Sequence, residues 1–167
     1  MILVAGIGNI FLGDDGFGSE VARRISERAA MPNARVIDFG IRGVDLLYAL
    51  VDGYEATIII DALSRGGEPG TLYVIEPDVM DLNDDSAAVE PHAMDPMQIL
   101  RLARSMGAPL RNVRIVGCEP ATFGPPDEGQ MGLSACVSAA VERAVDVVEE
   151  LITEILGPEG RKNAAPA

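Results

Sequence analysis

The chain has 167 residues and a mass of 17.6 kDa, the size of one ordinary domain, and its 48% apolar against 23% charged residues suffice to bury a core. Its 13 basic and 26 acidic residues leave a formal charge of −13, which repels nucleic-acid phosphate and anionic membrane surfaces alike. One histidine, two cysteines and no tryptophan exclude a Cys/His zinc cluster and argue against a disulfide framework, so any chemistry rests mainly on carboxylates and His92.

In chain order, the sequence predicts alternating strands and helices. Ile2 to Ala5 is a short continuous apolar run, as in a strand covered on both faces, and Gly6 to Gly16 is a glycine-rich loop. The opening residues carry no basic flank and the apolar run is short, so neither a signal peptide nor a membrane span is expected; the expected setting is cytoplasmic, with Cys118 and Cys136 as free thiols. Phe17, Val21 and Ile25 recur four apart and predict a helix ending before Pro32. Arg35 to Ile37 reads as a second strand closed by Asp38-Phe39-Gly40, Val44 to Val51 as a helix, and Ala56 to Ile60 as a third strand stopped by Asp61. Ser64 to Gly70 is too short for a helical crossover, so a fourth strand over Thr71 to Ile75 should run antiparallel to the third if the two pair.

After a long acidic loop from Glu76 to Pro91, Asp95-Pro96 starts a helix that Gly107 stops, and Asn112 to Gly117 reads as the fifth strand. Ser134 is placed to cap a last helix running through Val137, Val141, Val145, Val148, Ile152 and Ile155 to Gly157-Pro158. The expected fold is α/β: a three-layer αβα sandwich on a five-stranded, mostly parallel sheet with one antiparallel strand. It is read as a single domain over residues 1–157, with 158–167 a flexible tail.

In open α/β sheets, ligands bind beyond the carboxyl ends of the parallel strands. Three such ends carry carboxylates here: Asp14 and Asp15 after the first strand, Asp38 at the second, Asp61 at the third. A helix leading into a parallel strand begins at that same edge, which brings His92 there too. Asp15, Asp61 and His92 can therefore converge, and two carboxylates with one imidazole suit a divalent transition metal with positions left open. Plainer roles stand beside this one. Asp14 or Asp15 could cap the first helix, Asp38 and Asp61 could be polar strand terminators, and His92 could be a solvated loop residue.

Gly6-Ile7-Gly8 after a first strand also invites a dinucleotide reading, with Asp38 as the ribose acid. Phe11 stands where that fingerprint needs Gly or Ala, and Asp14 and Asp15 oppose a pyrophosphate, so nucleotide binding is not expected.

The run from Gly6 through Asn9, Gly13, Asp14, Asp15 and Gly16 to Gly18 resembles the opening signature of the hydrogenase maturation endopeptidases. Asp38-Phe39-Gly40 with Gly43, Ile58 to Ala62, Pro91-His92 and Gly132-Leu133-Ser134 extend the resemblance over nearly the whole domain. It implies an endopeptidase of aspartyl type that removes the C-terminal extension of a nickel-iron hydrogenase large-subunit precursor after nickel insertion, acting as a monomer. Nickel carried by the precursor, with no organic cofactor, would be the recognition signal. The family's metal positions fall on Asp15, Asp61 and His92. Asp15 is a methylene shorter than the Glu of some relatives, and Asp38 matches a further acidic position serving either substrate placement or catalysis. Asp15, Asp38, Asp61 and His92 are thus the candidate catalytic residues. Cys118 lies outside the matching motifs. The competing expectation is a noncatalytic metal or small-ligand binding module on the same scaffold.

Overall fold

The computed structural model describes residues 1–28, 31–79 and 95–160. Five strands form one sheet in the order β2-β1-β3-β5-β4, with β1 over Ile2–Ile7, β2 over Ala34–Gly40, β3 over Ala56–Ala62, β4 over Leu72–Ile75 and β5 over Val113–Cys118. The first three predicted strands and the fifth run parallel, and β4 is antiparallel. Its partner is β5, not β3. β5 slots between them, with Ile60 opposite Val116 and Val116 opposite Val74. A short connection sets a strand's direction but not its neighbour, because the later strand can still insert.

Among the described residues, four helices cover the sheet: α1 over Phe17–Glu27, α2 over Gly43–Asp52, α3 over Pro96–Ser105 and α4 over Ala135–Gly160. The period of two along β1 sorts its side chains between two cores. Ile2 and Val4 pack with Phe17, Val21 and Ile25 of α1 and Val137, Val141 and Val145 of α4. Leu3, Ala5 and Ile7 pack with Leu46 and Leu50 of α2 and Leu100 and Ala103 of α3. The sheet therefore lies between two helical layers, as predicted. None of the helices, among the described residues, is long and apolar enough to cross a membrane.

The helix ends follow local chemistry. Asp95 caps α3, its carboxylate accepting from Met97 N at 2.9 Å with Pro96 in the first turn. Gly157, at φ 64°, breaks the helical geometry of α4 where the stop is expected. Ser134 stands just before α4 and its carbonyl accepts from Ser138 N, but its hydroxyl is turned to Asp14.

α1 lies unusually close to the sheet. A Cβ on Gly18 would fall 2.2 Å from Ile60 O and 2.3 Å from Ile7 O, and one on Gly6 would fall 2.3 Å from Gly18 O. Only glycines at these two places allow the loop between β1 and α1 to turn back directly over the ends of β1 and β3.

Candidate active site

The crevice between β1 and β3 is the point where the chain, having left β1 for α1 and β2 on one side, returns to build the other half of the sheet. This is where an open parallel sheet offers a ligand site. Two of the predicted carboxylates meet there. Asp15 lies in the 3-10 turn Gly13–Gly16 that follows β1, and Asp61 is the penultimate residue of β3, inside the strand rather than after it.

Asp15 is positioned by its own loop. Asn9 N donates to Asp15 Oδ2 at 2.7 Å, and Gly8, at φ 129°, brings the backbone so near that a Cβ would fall 1.8 Å from Asp15 O. Burial raises the Asp15 carboxyl above the usual carboxylate range, with the Asn9 N–H acting against the shift. Asp61 is only 6% exposed, and its Oδ1 accepts from Ala62 N at 2.8 Å. Burial first, and then the charge of Asp15, push its carboxyl well above the usual range; Asp95 adds to the repulsion and the Ala62 N–H opposes it. Asp15 and Asp61 thus sense each other. Two carboxylates in this state hold protons more tightly than water-exposed ones, and an arriving cation would reverse that preference.

Asp14 has the other fate. It is fully buried and accepts from Ala121 N at 2.8 Å, Thr122 N at 3.1 Å, Ser134 N at 2.6 Å and Ser134 Oγ at 2.8 Å. Burial alone would raise its carboxyl, but these bonds together outweigh it and hold the group below the ordinary value. Neither member of the pair caps α1, which has no side-chain cap, contrary to the plainer reading; Asp14 instead braces the loops before α4.

Asp38 lies across β1 from β3. It pairs with Gly6, which pairs with Ile60, so it stands about 10 Å from β3, two strand spacings away. It is exposed, and its Oδ1 accepts from Ser19 Oγ at 2.7 Å and Gly40 N at 2.9 Å. It shares the carboxyl edge of the sheet with Asp15 and Asp61. His92 lies outside the described residues, as does most of the acidic stretch before it. Among the described residues, no three His, Cys, Asp or Glu side chains are grouped so as to hold a metal ion.

Cys118 is buried at the end of β5, and burial foremost, with the nearby Asp14 charge, pushes its thiol up to about 12. A thiol in that state is no nucleophile near neutral pH. Two acids beyond the predicted set lie by this edge. Asp95, the helix start of α3, stands near enough for its charge to act on Asp61, and the topology that brings His92 to the edge brings it too. Glu119 directly follows the carboxyl end of β5, a parallel strand, so its position in the sequence is the signal for it.

An α/β sandwich whose switch point gathers coupled carboxylates defines a class of proteins that handle cationic or polar ligands at one sheet edge. Residues 19–151 match the family model described as hydrogenase maturation protease. The chain belongs to that family, and its class of enzyme is the peptidases. It is 33% identical over 148 residues to a Methanocaldococcus jannaschii protein described as a candidate hydrogenase maturation protease, covering 88% of this chain and 93% of that one. It is also similar to the crystal structure of a hydrogenase 2 maturation peptidase from a Thaumarchaeota archaeon, with 33% identity, TM-score 0.68 and coverage of 90% and 97%. The hydrogenase maturating endopeptidase HybD of E. coli superimposes with TM-score 0.72 at 26% identity, covering 92% of each chain.

Proposed function

We propose that this protein is the endopeptidase that cuts the C-terminal extension from a nickel-iron hydrogenase large-subunit precursor once nickel is inserted. The reading is carried by one observation, the Asp15–Asp61 pair at the switch point of a hydrogenase maturation protease sheet. Asp15, Asp61 and His92 engage nickel that arrives within the substrate, and so hold the scissile bond beside the edge.

Amide hydrolysis needs a polarised carbonyl, an activated water and a proton for the leaving amine. Asp15 and Asp61 meet the substrate's cation as carboxylates, giving up to solvent any proton their burial retains, and the water that adds to the scissile carbonyl supplies the proton that the leaving amine takes. A precursor without nickel brings the pair no cation to hold, which makes the loaded metal the signal for cutting. Asp38, exposed at the same edge two strands from Asp61, serves substrate placement. The free thiols of Cys118 and Cys136 suit a reducing, cytoplasmic setting.

The test is purified protein with candidate precursors, with and without nickel, the products weighed by mass spectrometry. Shortened precursor only in the nickel-loaded sample is expected, and His92→Ala should stop it. Unchanged cleavage by that variant defeats the ligand assignment. Nickel capture without any shortened product favours a noncatalytic binding module instead.

A further inference from the structure

We propose that Glu119 is a positioning residue for the cleavage reaction, fixing the segment that leaves the site immediately after Asp61. The proposal rests on the peptidase reading above and deepens it.

Glu119 is a carboxylate only 5% exposed, and the catalytic scheme does not use it. Both of its oxygens are occupied. Oε2 accepts from Arg65 N at 2.8 Å and from Tyr73 Oη at 2.8 Å, and Oε1 accepts from Gly66 N at 3.1 Å. Its backbone adds two more ties, Glu119 N to Thr71 O and Gly70 N to Glu119 O, each at 2.8 Å. These partners lie in the connection from β3 to β4 and in β4 itself. That connection begins at the carboxyl end of β3, where Leu63 N bonds Cys118 O at 2.9 Å and the Leu63 side chain fills the space over Gly117.

A buried carboxylate is a costly way to hold a loop unless the loop must have one shape. This loop has little freedom left. A Cβ on Gly67 would fall 2.2 Å from the Tyr73 hydroxyl, and the Arg65 guanidinium sits over the Tyr73 ring, 5.5 Å from its centre. The chain is therefore locked within a few residues of Asp61 on its outgoing side, as Asp14 locks the loops around Asp15. Each member of the Asp15–Asp61 pair is flanked by a separate buried carboxylate that accepts backbone N–H groups. Precise placement of reacting groups is worth orders of magnitude in rate, so slack in this segment should appear in kcat.

The test is Glu119→Gln in the full chain. A carboxamide has one acceptor oxygen, so it cannot serve Arg65 N and Gly66 N together; its NH2 must oppose one of them. Val148→Ala, a core truncation on α4, is the control for general destabilisation. Hydrogen exchange reads the Arg65 and Gly66 amides, and precursor cleavage gives kcat and KM separately. Glu119→Gln is expected to lose protection at those amides and about ten- to a hundredfold in kcat, with KM within about twofold, while Val148→Ala keeps its kcat below its melting range. Lost protection with wild-type kcat overturns the positioning role, as does a Val148→Ala loss equal to that of Glu119→Gln. Retained protection overturns the clamp itself. Wild-type protein that leaves every nickel-loaded precursor whole refutes the peptidase reading, and the positioning role with it, even where the amides respond as expected.

Discussion

Burial raises the carboxyls of both Asp14 and Asp61, yet their net shifts are opposite because only Asp14 finds enough donors. Replacing Asp14 by Ala strands the N–H groups of Ala121, Thr122 and Ser134 in a dry setting. Each orphaned group costs about 1–3 kcal/mol, so Asp14→Ala should lose about 3 kcal/mol or more in urea unfolding. For Asp61 the sign reverses. Its carboxyl lies above its unfolded value, so the folded state binds more protons and stability falls as pH rises above about 4. Asp61→Asn removes that liability. Relative to wild type it should gain stability in urea titrations as pH rises from about 4 and level off once the folded carboxyl has ionised, while cleaving nothing; a difference that stays flat with pH would refute the coupling. The sequence made the pair Asp14-Asp15 visible and even suggested that capping and chemistry divide it. Which residue takes which role depended on donors more than 100 positions away, and no local pattern reports those.

At the scale of elements, hydrophobic period and turn residues were enough to place all five strands and four helices. Their ends were less legible. Asp38 and Asp61 look like stops in the sequence, but each continues its strand, because a parallel ladder can carry a polar residue at its last rungs where the sheet meets solvent or a ligand. Sheet order was legible only in part, since a β5 inserted between β3 and β4 leaves no mark on the connection between them. The close approach of α1 was also hidden, because Gly18 within a helical pattern reads merely as a weak helix residue. The structure makes it a contact. Gly18→Ala gains about 1 kcal/mol of helix propensity but drives a methyl into Ile60 O and Ile7 O. Overpacking against backbone costs about 1–3 kcal/mol or more, so thermal unfolding should show a net loss. Activity should fall with it, since the displaced atoms flank the Asp15–Asp61 crevice.

For the whole molecule, the −13 charge first excludes partners and then raises the question of how an acidic surface meets a protein substrate. The rim of the site answers with apolar groups. Phe11 is 61% exposed and Met131 67%, on segments joined by Gln130 N to Phe11 O at 2.8 Å and Gly13 N to Gln130 O at 2.7 Å. Neither Asn9 to Gly13 nor Gly129 to Leu133 contains a charge, although 23% of the chain is charged. The rim stands directly before Asp15 in the chain and is braced by the Asp14 bonds, so it is a fixed surface that a polypeptide would meet on its way to the carboxylates. Covering an exposed phenylalanine is worth about 1.5–3 kcal/mol, which is roughly ten- to a hundredfold in an equilibrium constant. Phe11→Asp should accordingly raise KM for the precursor by at least about tenfold, with kcat within about twofold and the melting temperature little changed, because the side chain contributes nothing to either core. A fall in kcat at unchanged KM would instead make Phe11 part of the chemistry and leave substrate docking to another face.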